Sequence, residues 1–320
     1  MEHNKVSIPR ASTIVVTGVN GYVGSAVAKL LLELGYKVRG TLRAPKPWVN
    51  QYFEERFGRD RFETVIVPDF EDLEALNRAF KGAAGILHVA HDMTWHSDPN
   101  IAVTKSVNAV VNILNIASQH KCVKRIGDWN DRAVEAVWSH RTPEEAMASL
   151  SYTAAKVAGD RKALKFVQEN KPQFDVNLVM PGLTLGRVLH PSCTGQPMAE
   201  IAALLRGERT YLFDFIPPWF IDIKDVARLH VIALLAPGLS SQRIFACAHP
   251  FTWKGLIDIL RQLDPANTLI PDAPEETLQP CHVIPATKAE RMIQDFFGCT
   301  GFTSLRDSLA TALMKSVFTA

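Results

Sequence analysis

Short apolar runs and helix-like segments alternate along the first half of the chain. Four runs rich in β-branched residues are each followed by a segment with helical spacing, and they span residues 12–17, 37–43, 62–67 and 85–90. The clearest helical segment, 21–34, carries apolar residues at helical spacing, namely Val23, Val27, Leu30, Leu31 and Leu34. Gly35 is expected to end this helix, because glycine readily adopts the left-handed conformation found after helix C-termini.

This alternation predicts the fold class. Helices between short apolar strands form right-handed crossovers, which place the strands in a parallel sheet with helices on both faces. A later run, 175–180, is expected to join the same sheet. Beyond it the pattern is less regular, with a predicted helix at 224–235 and a strand at 243–247. The chain is therefore predicted to be an α/β protein, a doubly wound parallel sheet with a smaller C-terminal lobe.

Composition and charge exclude several classes of protein. The 320 residues are 47% hydrophobic and carry a formal net charge of +2 with interspersed charges, so no nucleic-acid partner is predicted. The first ten residues are polar, and no uninterrupted apolar run reaches 18 residues, so a cytoplasmic protein without a membrane span is expected. The five cysteines lack C-x-x-C spacing, which is typical of reduced thiols without a metal site.

A glycine-rich turn joins the first predicted strand to the first predicted helix. Gly18 would allow a tight turn, Gly21 would let the backbone approach a pyrophosphate, and Gly24 would let the helix pack closely on the sheet. The helix N-terminus offers unpaired N–H groups to phosphates. Spaced glycines alone also occur in structural turns, but here a strand precedes and a helix follows them. The predicted dinucleotide contacts of this turn are Gly18, Asn20, Gly21, Tyr22, Val23 and Gly24.

Cations after the second predicted strand favour a phosphorylated cofactor. An NAD-binding protein usually places an acid there for the ribose 2′-hydroxyl, but no Asp or Glu occurs between Leu34 and Phe53. Arg39 can equally be a surface cation. Arg43 stands where the strand should end, so Arg43 and Lys46 are predicted to bind the 2′-phosphate of NADP(H). A charge-assisted bond of this kind contributes about 1.5–3 kcal/mol, enough to select the cofactor.

Tyr152 and Lys156 form the candidate catalytic pair. They are four residues apart on a predicted helix, so their side chains share one face. A lysine ammonium beside a phenol stabilises the phenolate, which lets tyrosine act as a general acid near neutral pH. Such pairs also arise by chance, and this one is informative because it follows the glycine turn at a suitable distance.

Together these motifs resemble the extended short-chain dehydrogenase/reductase family. Within it the chain is similar to the fungal NADPH-dependent aldehyde and ketone reductases of the dihydroflavonol-reductase type. The resemblance covers nearly the whole chain and rests on residues 17–24, 38–43, 85–90, 152–156, 220–227 and 301–305. It implies an NADP-binding Rossmann domain formed by residues 1–182 and 223–250, and a substrate-binding lobe formed by residues 183–222 and 251–320.

The resemblance also implies a reaction. NADPH would deliver hydride to the carbonyl carbon of a small apolar aldehyde or ketone, while Tyr152 protonates the oxygen. A role in secondary metabolism is expected. Lys156 would tune the tyrosine and bond the nicotinamide ribose. The protein would be a monomer or a homodimer. Further cofactor contacts implied by the family are Asp69 at the adenine and Phe70 beside it. Val89, Ala90 and His91 would lie along the cofactor, and Pro181, Gly182 and Leu183 would hold the carboxamide.

One segment departs from the family pattern. After a helix ending near Lys124, the family continues with an apolar strand that closes on serines, one of which bonds the substrate carbonyl. Here Ile126 leads directly into Gly127 and a polar run, and no serine occurs between Ser118 and Ser139. Matching the flanks indicates a deletion of roughly 15–25 residues.

Three explanations for this gap are open. The protein could have turned to non-redox chemistry, as an isomerase, a cyclase or a cofactor-binding scaffold. A mis-spliced gene model could have removed the segment and left an inactive product. The segment could also be rebuilt, with residues 123–126 as a short strand and Asp128, Asn130 or a water replacing the serine. Loss of a central strand would leave ladder groups unpaired. Loss of the serine alone would lower turnover about 10²–10³-fold.

Some other residues have both structural and functional interpretations. His88, His91 and His96 are close in sequence, but their spacing is not a zinc-site pattern, so no metal is predicted. His88 is expected on the strand and His91 at the rim of the cofactor pocket. Gly182 stands where these reductases often have asparagine. Core packing or an apolar substrate pocket is expected for Trp95, Phe213, Phe215, Pro217, Pro218 and Trp219.

Overall fold

The computed structural model describes residues 6–91, 97–127, 144–193, 196–214, 219–276, 283 and 285–313, and for Tyr152 it describes the main chain. Packing divides the chain into two compact units. The first comprises residues 1–20, 27–180 and 230–243, and the second comprises residues 21–26, 181–229 and 244–320. The domain bounds expected from the sequence stay a prediction.

Strands and helices follow each other in the predicted order. The strands of the described residues are β1 (Thr13–Thr17), β2 (Lys37–Leu42), β3 (Phe62–Ile66), β4 (Gly85–His88), β5 (Arg125–Gly127), β6 (Asp175–Pro181), β7 (Leu183–Leu185), β8 (Trp219–Asp222), β9 (Arg243–Ala246) and β10 (His249–Pro250). The α-helices are α1 (Tyr22–Glu33), α2 (Pro47–Phe57), α3 (Leu73–Phe80), α4 (Pro99–Gln119), α5 (Glu144–Asn170), α6 (Gln196–Leu205), α7 (Ile223–Leu235), α8 (Trp253–Leu263), α9 (Ala286–Phe297) and α10 (Leu305–Leu313).

A parallel sheet with flanking helices confirms the predicted fold class. The strand order is β3-β2-β1-β4-β5-β6-β9, and the pairs from β3 through β6 are all parallel. The order reverses at β1, which lies between β2 and β4. In sheets of this kind a ligand binds outside the carboxyl ends of the strands at that reversal. The fold therefore directs attention to the residues that follow β1, β2 and β4.

Helix α1 ends as the sequence predicts. Gly35 has a φ of +94°, in the region that favours glycine. Its N–H donates to the carbonyl of Leu32, and the N–H of Tyr36 donates to the carbonyl of Leu31. This pair of bonds is the Schellman arrangement, which satisfies the last carbonyls of a helix. The chain thereby turns from α1 directly into β2.

Helix α4 belongs to the core of the first unit. By length and composition it could span a membrane, with a mean hydropathy of 1.3, but a core helix satisfies the same criteria. Its residues Ile113, Leu114 and Ala117 are buried in a cluster with Phe80 and Phe166. Packing in this core accounts for the apolar face of α4.

Strand β5 occupies the place of the atypical segment. Its residues Ile126 and Gly127 pair with Ile86 and Leu87 of β4, and Arg125 pairs with Asp175 of β6. The buried guanidinium of Arg125 lies 3.5 Å from the Asp175 carboxylate and donates to the carbonyl of Ala236. A three-residue strand therefore keeps the sheet continuous at this position. Asp128 and Asn130, the predicted substitutes for the serine, lie outside the described residues.

In the second unit, β7, β8 and β10 form a small mixed sheet, and two buried acids fasten its helices. Asp222 accepts a 2.6 Å hydrogen bond from the hydroxyl of Ser308, and Asp225 accepts one of the same length from the N–H of Thr303. Arg228 pairs with Asp225 at 2.9 Å. The two family-like segments 220–227 and 301–305 are thus joined.

Candidate functional site

The glycine turn brings the ends of β1 and β4 into contact. Gly18 has a φ of +64°, and a Cβ there would lie 3.0 Å from the Cα and Cβ of Ala90. Gly40 of β2 has a similar reason, since a Cβ would lie 2.3 Å from Cγ1 of Val19. Side chains at these positions would push the turn away from the neighbouring strands. The turn is therefore packed tightly against β2 and the end of β4.

Thr17 is a site residue that the sequence interpretation missed. Its hydroxyl accepts the N–H groups of Val89 and Ala90, each at 3.0 Å, and lies 2.8 Å from Nδ1 of His88. Two accepted bonds leave the O–H to be donated, so Nδ1 of His88 is the acceptor and Nε2 carries the ring proton. Because the N–H groups of Val89 and Ala90 donate to this hydroxyl rather than to a neighbouring strand, β4 ends at His88, although residues 85–90 were predicted as strand. The threonine directly before Gly18 was the feature of the sequence that could have indicated this role.

His88 and His91 are held uncharged at neutral pH. Burial, followed by the positive charge of Lys156, lowers the pKa of His88 to about 3. Burial is also the largest cause that lowers the pKa of His91, ahead of the charges of Lys156, His88 and Arg43. The described residues contain no group of three or more His, Cys, Asp and Glu suited to a metal ion, and His96 lies outside them.

The cations after β2 have different surroundings. Arg43 is exposed, and its Nη2 donates to the carbonyl of His91 at 3.3 Å. Lys46 is exposed at the start of α2. The guanidinium of Arg39, in contrast, bonds to Glu63 and to the carbonyls of Ala79 and Lys81, at 2.6, 2.9 and 2.6 Å. Arg39 therefore fastens the end of α3, while Arg43 and Lys46 present charge next to the end of β2.

The predicted adenine side of the site is formed after β3. The Asp69 carboxylate accepts the N–H of Glu71 at 3.0 Å, which shapes a tight turn. The Phe70 ring meets the His88 imidazole edge to face, with centroids 5.0 Å apart. Phe70 thus connects this turn with the end of β4.

Helix α5 carries both members of the candidate catalytic pair. Tyr152 and Lys156 lie within its continuous span, and Lys156 is partly buried. The hydroxyl of Ser151 is buried and donates to the carbonyl of Ser97 at 3.2 Å, so Ser151 is committed to a structural bond. Ser139, another potential substitute for the family serine, lies outside the described residues.

The residues predicted to hold the nicotinamide carboxamide, Pro181, Gly182 and Leu183, lie in the second unit. The N–H of Gly182 donates to the carbonyl of Ala246 at 2.9 Å, and a Cβ at Gly182 would lie 2.1 Å from the carbonyl oxygen of Trp219. This close approach explains why glycine, rather than asparagine, occupies position 182. Leu183 follows as the first residue of β7.

Tyr22, also in the second unit, uses its side chain structurally. Its buried hydroxyl donates to the carbonyl of Gly186 at 2.8 Å. Burial, followed by the negative charges of Asp222 and Cys193, raises the phenol pKa well above its ordinary value. The cofactor contact predicted for Tyr22 would therefore have to come from its main chain.

Two of the six residues predicted for core packing or a substrate pocket, Phe213 and Trp219, lie in the described part of the chain. Phe213 is buried and packs edge to face on Trp253, with centroids 5.4 Å apart, which supports core packing for this residue. Trp219 is partly buried in β8. The remaining candidates lie outside the described residues: Trp95, Phe215, Pro217 and Pro218.

Comparison with known proteins assigns the family. The ketoreductase nvfG of Aspergillus novofumigatus is 61% identical over 341 aligned residues, covering 99% of this chain and 100% of that protein. Aldehyde reductase 2 of Sporidiobolus salmonicolor is 29% identical, covering 84% and 86%. The solved structure of yeast methylglyoxal/isovaleraldehyde reductase Gre2 complexed with NADPH has a TM-score of 0.71 at 21% identity, covering 94% and 98%. Residues 14–248 match the NAD dependent epimerase/dehydratase family, and the chain therefore belongs to that family, within the extended short-chain dehydrogenases/reductases.

Proposed function

We propose that this protein is an NADPH-dependent reductase of a small, apolar aldehyde or ketone, with Tyr152 as the general acid. The observation that carries the proposal is the glycine turn after β1, which packs against the end of β4 where the strand order reverses. Lys156 is near enough for its positive charge to lower the pKa of both His88 and His91. The lysine of the predicted pair thus lies close to the residues that end β4, beside the glycine turn after β1. This is the edge of the sheet where the strand order reverses and a dinucleotide is expected. The ketoreductase and aldehyde reductase names of its relatives agree with it.

Each protein group has a defined task in this reaction. When bound, NADPH supplies the hydride that is added to the carbonyl carbon. Tyr152 gives its phenolic proton to the carbonyl oxygen, and the ammonium of Lys156 stabilises the phenolate that is left. Because His88 and His91 stay neutral, they add no positive charge of their own beside Lys156. Thr17 holds the backbone of residues 88–90 against the glycine turn.

The choice of NADPH over NADH rests on Arg43 and Lys46. Both cations are exposed, and no carboxylate occurs between Leu34 and Phe53. Arg43 is also steadied by its bond to the His91 carbonyl, so less side-chain entropy is lost when it binds a 2′-phosphate. These donors fit a 2′-phosphate better than a ribose hydroxyl.

We further propose that the segment after β5 is shortened by a deletion. The alignment with nvfG has 341 positions, 21 more than the 320 residues of this chain, so that relative contains residues that this chain lacks. This length difference supports the deletion inferred from the flanks, but it does not locate the missing residues. Without the serine the enzyme should be slow, since loss of one donor to the developing oxyanion costs about 10²–10³-fold in turnover. A cytoplasmic location and a role in secondary metabolism stay predictions.

The test combines binding and turnover. The 320-residue chain is titrated with NADPH and NADH by fluorescence, and NADPH oxidation is then followed with a panel of apolar ketones and aldehydes. We expect preferential NADPH binding, slow turnover, and loss of that turnover in Tyr152→Phe with the NADPH dissociation constant unchanged. Turnover that survives in Tyr152→Phe would contradict the mechanism. Tight NADPH binding without oxidation by any carbonyl would favour a cofactor-binding scaffold instead.

A further inference from the structure

Asn112 of α4 reaches the turn that follows β3. Its Nδ2 amide donates a 3.0 Å hydrogen bond to the carbonyl oxygen of Phe70. Within the turn, the N–H groups of Glu71 and Ala75 donate to the Asp69 and Asp72 carboxylates, and from α4 the Asn108 amide also bonds the side chain of Glu71. Asn112 is 42 positions away from Phe70, so its bond fastens the turn to a helix whose neighbouring residues are in the core.

The same turn is held from a second direction by the Phe70 ring. The ring lies edge to face on His88, and it packs against the core cluster that contains Ile113 of α4. His88 is itself fixed by the hydroxyl of Thr17. The main chain of Phe70 is therefore held by Asn112, while its side chain is held by the end of β4. Both constraints act on Phe70, the residue next to Asp69. The side chain of Asp69 is exposed.

We propose that Asn112 is a positioning residue for the adenine half of the dinucleotide. This inference rests on the proposed function, together with the contacts at the adenine that the family resemblance implies for Asp69 and Phe70. Without the Asn112 amide, the Phe70 carbonyl would be hydrated and the turn would sample more conformations. Binding would then have to order the turn, and the lost conformational entropy would weaken affinity. The nicotinamide half would not be affected, because its predicted contacts come from other segments.

The test measures the two halves of the cofactor separately. Dissociation constants for NADPH, adenosine 2′,5′-bisphosphate and reduced nicotinamide mononucleotide are determined on the full chain. We expect Asn112→Leu, which is similar in size but cannot donate, to weaken NADPH and the bisphosphate about three- to tenfold, the usual effect of one hydrogen bond. Binding of the mononucleotide should change by less than about twofold. Asn112→Ser is the second variant if Asn112→Leu fails to melt cooperatively.

Asn108 offers a matched control on the same helix. It lies one turn before Asn112, and its amide bonds the exposed side chain of Glu71 at 3.1 Å rather than the main chain of the turn. Asn108→Leu should leave all three dissociation constants nearly unchanged. Equal losses for both cofactor halves, or an Asn112 variant that binds the bisphosphate as tightly as the unmodified chain, would overturn the inference. If the unmodified chain binds neither NADPH nor the bisphosphate, the proposed function itself is wrong.

Discussion

The hydroxyl of Thr17 and the imidazole of His88 are joined by a 2.8 Å hydrogen bond, in which the hydroxyl donates and Nδ1 accepts. This direction follows from the two backbone N–H groups that occupy the lone pairs of the same oxygen. One side chain therefore sets the path of the chain after β4 and the tautomer of its last residue. Both effects depend on a hydroxyl at the end of β1.

Thr17→Val should damage both stability and cofactor binding. The substitution keeps the shape but leaves the N–H groups of Val89 and Ala90 without their acceptor, which should cost about 1–3 kcal/mol of unfolding free energy. NADPH affinity should fall, because residues 89–91 are no longer held beside Gly18. Urea denaturation and fluorescence titration measure the two effects. Thr17→Ser keeps the hydroxyl and should restore most of both, so equal behaviour of the Val and Ser variants would contradict the role assigned to this oxygen.

The depressed pKa of His88 should make stability depend on pH. The folded-state pKa of about 3 lies below the unfolded value of about 6.5. The unfolded chain therefore binds more protons, and stability is lost as the pH falls below 6.5. Each pH unit in that window should remove about 1.4 kcal/mol on account of His88. In His88→Asn, which cannot titrate, this contribution is absent. Urea denaturation at pH 6.5 and 5.5 should therefore show a smaller loss for the variant; parallel losses would count against a buried neutral imidazole.

Arg43→Ala should reduce cofactor discrimination. Loss of a charge-assisted bond to the 2′-phosphate should weaken NADPH binding about ten- to a hundredfold and leave NADH binding nearly unchanged. Lys46→Ala should act in the same direction and more weakly, since its exposed ammonium is a more mobile donor. Titration with both cofactors gives the ratio directly.

Arg39→Ala is the matched control for this experiment, because it removes the same charge four residues earlier, from β2 itself. Its guanidinium bonds Glu63 and the carbonyls at the end of α3, so the variant should lose stability and keep its NADPH-to-NADH ratio. A shift of the ratio as large as in Arg43→Ala would show that net positive charge, rather than the position of Arg43, selects the cofactor.

Gly182→Asn should be strongly destabilising, although related reductases often carry this asparagine. A Cβ at 2.1 Å from the Trp219 carbonyl oxygen requires β8 to move. This should lower the free energy of unfolding by about 1–3 kcal/mol, as measured by urea denaturation. Gly82→Asn is the comparison, since Gly82 has a φ of +72° and open space around its Cβ position. Asparagine tolerates that conformation, so a cost below about 1 kcal/mol is expected. Comparable losses at both positions would argue against the steric explanation.

Local patterns predicted the fold well because the deciding interactions are close in sequence. The end of α1 is an example, since Gly35, Leu32 and Leu31 make the whole capping motif. The parallel order of the sheet followed similarly from the short crossovers. The end of β4 was predicted two residues too late, because the hydroxyl that diverts its amides comes from Thr17, more than 70 positions earlier.

The candidate site was harder to predict wherever distant segments decide a side chain's partner. The role of Arg39 was left open by the pattern, because the carbonyls that occupy its guanidinium belong to Ala79 and Lys81. The glycine at 182 had no explanation until the backbone of Trp219 was found against it. Asn112 carried no motif at all, since its significance comes from a carbonyl 42 residues away.

The bonds from Ser308 and Thr303 to Asp222 and Asp225 also bear on the order of synthesis. Both carboxylates are buried, and their partners follow about 80 residues later in the chain. While the chain emerges from the ribosome, the carboxylates of Asp222 in β8 and Asp225 in α7 lack these two hydrogen bonds until residues 303–308 have been made. The second unit can therefore reach its final stability only after residues 303–308 have been made, whereas the first strands are available long before.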